Sequence, residues 1–167
     1  LHPGEAAPMP DKKVNEKRRD KLQALRQEIL EKREGTVYFE VGELANPSQP
    51  QAIDLLDAYV ERSGFQRIGS AWREIDPASA RRVITRILHK ELAYDYEVMP
   101  LHDAQVLADS VIGTLTPSAR FFTNGTYAEE EEGKGVTWHS ITKATFDTGV
   151  AFIDELLIGL LWIEDED

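Results

Sequence analysis

A chain of 167 residues, 41% of them hydrophobic, is of single-domain length and has enough apolar side chains to form one core without metals or disulfides. It has no cysteine, which excludes disulfide scaffolds, thiol catalysis and zinc sites built on thiolates. Its formal net charge of −11 disfavours direct DNA or RNA binding, because phosphate backbones are held by the opposite sign.

The charge is segregated along the chain. Residues 11–34 carry nine Lys or Arg against six Asp or Glu, residues 35–90 carry seven of each, and residues 91–167 carry three against sixteen. The last stretch alone is therefore at −13, a distribution suited either to solubility or to attracting a basic partner.

Leu1–Pro10 has neither a basic start nor an apolar middle, so it does not read as a secretory signal. It is expected to be an unstructured leader, with Met9 as the natural start. Residues 11–34 lack Gly and Pro and place Leu22, Leu25 and Ile29 at helical spacing, which predicts a solvated helix with a narrow apolar stripe. Such a helix is expected at the periphery of the 11–167 domain, docked on a surface or pairing two copies.

Gly35 punctuates that helix, and Thr36–Val41 follows as a β-rich run before Asn46-Pro47-Ser48. Ala52, Ile53, Leu56, Tyr59 and Val60 predict a second helix, with Asp54, Asp57 and Glu61 facing water. Phe65, Ile68 and Trp72 suggest a strand within 65–74. Asp76-Pro77 is a helix-start signal, and Ala80, Val83, Ile84, Ile87, Leu88 and Leu92 carry the apolar face to about Ala93. Arg82, Arg86 and Lys90 line another face at four-residue intervals, suited either to an anion or to ion pairs with the acidic half. After Pro100, Leu101–Leu115 reads as a helix with Val106, Leu107, Val111 and Leu115 inward.

The last fifty residues or so change character. Phe121-Phe122, Val136-Thr137-Trp138, Val150–Ile153 and Ile158–Ile163 are strand candidates, the last two forming a hairpin with Asp154-Glu155 near its turn. The fold class is thus α+β, with several helices in the N-terminal two-thirds packed on a C-terminal antiparallel sheet. No run approaches the roughly 18 apolar residues of a membrane span.

The chain contains no Gly-x-Ser-x-Gly elbow, Walker-type loop or Gly-x-Gly-x-x-Gly. His102, Asp103 and His139 could serve a small hydrolase or metal-dependent enzyme, although no histidine has a second one four residues on. Asn124-Gly125-Thr126 matches the glycosylation pattern but is read as a turn. Glu129, Glu130, Glu131 and Glu132, together with Asp154 and Glu155, are expected to stand on exposed loops beside the sheet and to be the partner contacts.

Thr145-Phe146-Asp147-Thr148-Gly149-Val150, followed by Gly159-Leu160-Leu161-Trp162-Ile163-Glu164-Asp165, resembles the C-terminal pattern of small bacterial proteins that include immunity proteins of polymorphic toxin systems. Physically, Phe146, Val150, Phe152, Leu160 and Trp162 are expected to fill one sheet face, with Asp147 starting a turn. The resemblance implies a non-enzymatic inhibitor that covers a basic, nuclease-type toxin by charge and shape. The absence of cysteine fits a reducing cytoplasm, and the apolar patterning without a ligand cluster predicts a monomer or homodimer that folds without a cofactor.

Overall fold

The computed structural model describes residues 12–44, 51–129 and 135–166. Within them, helix α1 (Lys12–Lys32) precedes strand β1 (Thr36–Glu43), helix α2 (Ala52–Arg62), the short strand β2 (Arg73–Ile75) and helices α3 (Pro77–His89) and α4 (Leu101–Thr114). Strands β3 (Arg120–Thr123), β4 (Phe146–Asp154) and β5 (Leu157–Asp165) complete a five-stranded antiparallel sheet in the order β1-β5-β4-β3-β2. The α+β class, with helices mainly N-terminal and strands mainly C-terminal, is the architecture. No described helix is long and apolar enough to cross a membrane.

Side chains alternate across a strand, and here both faces of the sheet are covered. Phe39, Val41, Val150, Phe152, Leu161 and Ile163 join the larger core beneath α1, α3 and α4. Ala151, Leu160 and Trp162 point the other way, into a smaller core with Leu56, Tyr59 and Val60 of α2 and with Trp72. Leu160 and Trp162 therefore do not share a face with Val150 and Phe152. In the register, Phe152 is opposite Gly159 and Ala151 opposite Leu160, and a one-residue offset reverses the face.

Gly149 shows how tightly this hairpin is built. A Cβ there would lie 2.1 Å from the Leu161 carbonyl oxygen and 2.8 Å from the Cα of Trp162, the residue paired with it. Only a hydrogen leaves room for the strands to close.

Helix α1 is integral to the domain. Its stripe is narrow, as its sequence indicates, yet Leu22 and Ile29 are fully buried, and with Leu25 they belong to the larger core with α3 and α4. The expectation of a peripheral or dimerising helix is corrected, because this stripe is covered within the chain. The helix also donates from Arg26 Nε to the Phe39 carbonyl at 2.8 Å, occupying an acceptor on edge strand β1.

Helix α3 begins as expected, with the Asp76 carboxylate accepting from the Ser79 N–H at 2.7 Å and Pro77 in the first turn. That bond holds the Asp76 carboxyl below the ordinary range. The helix stops at His89, short of Ala93, because Lys90 bridges to Glu97 and the Glu91 carboxylate accepts the Tyr94 N–H at 2.9 Å. In α4 Val106 is 49% exposed, and Ala104 and Ala108 pack inward beside Leu107 and Val111. Phe65 and Ile68 lie in irregular chain, followed by a 3-10 turn at Gly69–Ala71, and Trp138 makes an isolated bridge to Gly125.

Two substitutions follow from this packing. Leu22→Ala is expected to cost about 3 kcal/mol in urea unfolding, against under about 1 kcal/mol for Leu30→Ala on the exposed side of α1. Equal small losses would show that α1 lies outside the core. Gly149→Ala is expected to cost at least about 2 kcal/mol or to prevent folding, read as melting temperature and soluble yield.

Candidate functional site

The hairpin β4–β5 fixes where the expected partner contacts fall. Asp154 and Glu155 stand at its turn, where Glu155 adopts a left-handed φ of 55°. Glu129 follows β3 in a short 3-10 turn beyond Thr123. Strand β3 starts with Arg120 opposite Ile153 and runs away from that turn, so Glu129 lies toward the opposite end of the sheet. A nine-residue strand such as β4 spans roughly 26 Å at about 3.3 Å per step. Glu129 and the Asp154-Glu155 pair therefore do not form one patch, and Glu130, Glu131 and Glu132 lie outside the described residues.

Asp154 is not a surface group. It is 1% exposed and binds the Arg18 guanidinium, the Thr116 hydroxyl and, at 2.8 Å, the Thr116 N–H. The expectation that it faces a partner is corrected: its carboxylate ties α1 and the start of the 116–120 segment to the hairpin turn. Glu155 remains exposed, 3.3 Å from Arg18 Nη2. Glu129 is exposed and ion-paired with Arg73.

Other carboxylates behave like Asp154. Asp57, read as water-facing, is 3% exposed and accepts from Ile68 N–H at 3.1 Å and from Trp72 Nε1 at 2.9 Å. Asp147 accepts from the N–H groups of Ile141 and Thr142, each at 2.8 Å, from inside β4. Asn124 is buried too, its amide donating to the His139 and Asp147 carbonyls at 2.8 and 3.0 Å. The glycosylation pattern is therefore sequestered in the fold.

His102 and Asp103 open α4, while His139 lies in the segment pinned to Asn124, where its N–H donates to the Asn124 carbonyl at 2.8 Å. Among the described residues no group of three or more His, Asp or Glu is placed to hold a metal ion.

Two surfaces have the character of recognition sites. The first is on the α2 side of β1 and β5, where Tyr38 donates to the Glu164 carboxylate at 2.8 Å and Glu40 follows two residues on along the same face. Burial, the Glu164 hydrogen bond, and the charges of Glu164 and Glu40 push the Tyr38 hydroxyl above the ordinary tyrosine value. Two carboxylates, Glu164 and Glu40, thus lie within electrostatic reach of this hydroxyl. Glu166, exposed beyond β5, accepts from the Thr145 hydroxyl at 2.6 Å and extends the acidic border. Sequence reasoning missed this site. Strand alternation puts Tyr38 and Glu40 together, but only the β1–β5 pairing brings Glu164 beside them.

The second surface is a groove of about 580 Å³ between α3 and α4, walled by Arg82, Arg86, His89 and Lys90 and by Leu101 and Gln105. Arg86 and Lys90 pair with Asp95 at 3.0 and 3.4 Å, and Arg81 pairs with Asp109. Ion pairing, one of the two roles expected for this cationic row, is thus present.

The fold is an antiparallel sheet with helices on both faces and no described metal cluster. Compared with protein families, curated proteins and solved structures, the chain has no match.

Asp154 provides the test of which acids are structural. Asp154→Ala is expected to destabilise by about 3 kcal/mol, because it strands a partly buried guanidinium and a backbone N–H. Glu155→Gln is expected to change stability by less than about 0.5 kcal/mol. Chemical denaturation of both variants separates the roles, and a neutral result for Asp154→Ala would return that residue to the surface.

Proposed function

We propose that the protein is a non-catalytic binding protein of the immunity type, which inhibits a basic, nuclease-type toxin by covering it with an acidic surface. The observation that carries this reading is the negative edge formed by Tyr38, Glu40 and Glu164, with Glu166 at its border. A tyrosine among carboxylates combines a rigid contact surface with charges that match Lys and Arg, and tyrosine is enriched in interface hot spots. The net charge of −11 adds long-range attraction toward a basic protein. The C-terminal resemblance points to the same class, and Glu164 lies within the resembling stretch.

In this reading the partner contacts move from the hairpin turn to the β1–β5 edge. Glu129 and Glu155 contribute to the field at opposite ends of the sheet. Tyr38 is held by its hydroxyl bond to Glu164 and by its ring contact with Phe65, which lowers the ordering cost of binding.

The test is recovery of a stoichiometric partner with the tagged protein from cells that encode it, followed by association kinetics. A basic partner is expected, and co-expression should relieve its toxicity. Replacing Glu40, Glu164 and Glu166 by Gln should slow association about ten-fold at low ionic strength and flatten its salt dependence. An acidic partner, or an association rate unchanged by the triple replacement, would overturn the reading.

A further inference from the structure

The groove between α3 and α4 is cationic in a protein of net charge −11. Its α3 wall carries Arg82 and Arg86 one helical turn apart with Arg81 beside them, and Lys90 continues the row from the extended residue that follows the helix. From Ala78 to His89 the wall runs roughly 16 Å at about 1.5 Å per residue. Its cations are therefore strung out along a line, where a single phosphate or carboxylate could reach only one or two. Such a row suits a series of anionic groups at matching spacing.

The lining is partly apolar. Ala78 and the 46% exposed Leu101 belong to it, and Gln105 stands one turn beyond Leu101 on α4. Tyr94 and Tyr96, 66% and 55% exposed, flank Asp95, whose carboxylate bridges Arg86 and Lys90 at the C-terminal end of α3. A partly apolar lining with arginines along one side is the composition of a helix-in-groove protein interface. Long nucleic acid fits less well, since beyond the groove the chain is strongly acidic and repels a phosphate backbone.

The rim acids are Asp95, Asp109 and Glu97, the last 3.8 Å from His89 Nδ1 and 59% exposed, with Asp76 capping α3. Asp95 and Asp109 are 56% and 54% exposed, so they can turn to solvent when other carboxylates take their place. Arg82 donates to the Ser79 hydroxyl at 2.8 Å, a bond weaker than one to a carboxylate.

We infer that this groove docks an acidic amphipathic peptide segment of a partner protein, with its carboxylates on Arg82, Arg86 and Lys90 and an apolar side chain against Leu101. The inference is independent of the acidic edge, which has the opposite charge and different residues.

The experiment is fluorescence anisotropy at low ionic strength with a labelled peptide of about twelve residues, Glu-rich with Leu at helical spacing. Controls are the same peptide with Lys for Glu, and oligothymidylate of similar length. The Glu-rich peptide is expected to bind saturably, about ten-fold or more weakly to Arg82→Glu and Lys90→Glu. Leu101→Ser, which leaves every charge of the groove unchanged, should weaken it several-fold. Arg67→Glu makes the same charge change beside α2, where Arg67 is 60% exposed, and should change binding by less than about two-fold. Circular dichroism establishes that each variant is folded. Absence of saturable binding, an equal loss in Arg67→Glu, or tighter groove-dependent binding of oligothymidylate would each overturn the assignment.

Discussion

The central hairpin is buried on both faces and finished at both ends by buried carboxylates, and the rest of the molecule is hung from those ends. At the turn, Asp154 holds Arg18 of α1 and the backbone at Thr116. At the open end, Asp165 accepts the Leu92 N–H at 2.9 Å and lies 3.5 Å from Arg33, whose Nε donates to the Ile87 carbonyl. Asp147 fixes the 141–142 segment beneath the second core. Removing one partner from such a contact leaves a desolvated charge or N–H, which costs far more than the intact contact contributes. These ties therefore specify geometry more than they add stability. They set where α1, the loop after α3 and the 141–142 segment meet the sheet.

The same ties divide the acidic residues into two populations. Of the twelve described acidic residues between 91 and 166, Glu91, Asp147, Asp154 and Asp165 are buried, so a third of the described negative charge in the acidic half has an architectural use. The remaining field is organised by strand pairing, which sets Glu164 against the Tyr38–Glu40 stretch of β1 although more than a hundred residues separate them in sequence. Net charge gives the prevailing sign of the surface. Sheet register determines where on the surface that sign is concentrated.

What could be read from the sequence was local. The Asp76-Pro77 start, the stripe from Ala80 to Leu88 and the hairpin around Asp154-Glu155 each rest on chemistry within a few residues, and each is present in the structure. What could not be read depends on partners distant in sequence. Asp57 sits on a helix face that looks solvated until the 68–72 turn folds over it, and Asp154 looks like a turn residue until Arg18, from the other end of the chain, reaches it. Leu22, Leu25 and Ile29 form so narrow a stripe that α1 reads as peripheral, but three positions suffice because α4 and β1 flank it on both sides. The face assignment of Leu160 and Trp162 failed for a related reason: it treated the two strands as if their phases could be chosen independently.

The two candidate surfaces lie on opposite sides of the sheet. The acidic edge belongs to the α2 side, with Tyr38 stacked edge-on at 5.1 Å from Phe65, whereas the cationic groove lies on the outer surface of the helical layer that covers the other face. Two sheet-packed cores separate them, so a partner on one does not sterically exclude a partner on the other. Their fields are also distinct at physiological salt, where charges beyond roughly 8 Å are largely screened. A chain that concentrated all its surface charge in one sign would repel every acidic segment. By pairing Asp95 with Arg86 and Lys90, and Asp109 with Arg81, this one keeps a cationic row intact within an acidic protein. The helix that carries the row is held by its buried Ala80, Val83, Ile84, Ile87 and Leu88. Because packing fixes α3 and leaves its arginines outside the core, the groove keeps its shape whether or not the ion pairs on its rim are made.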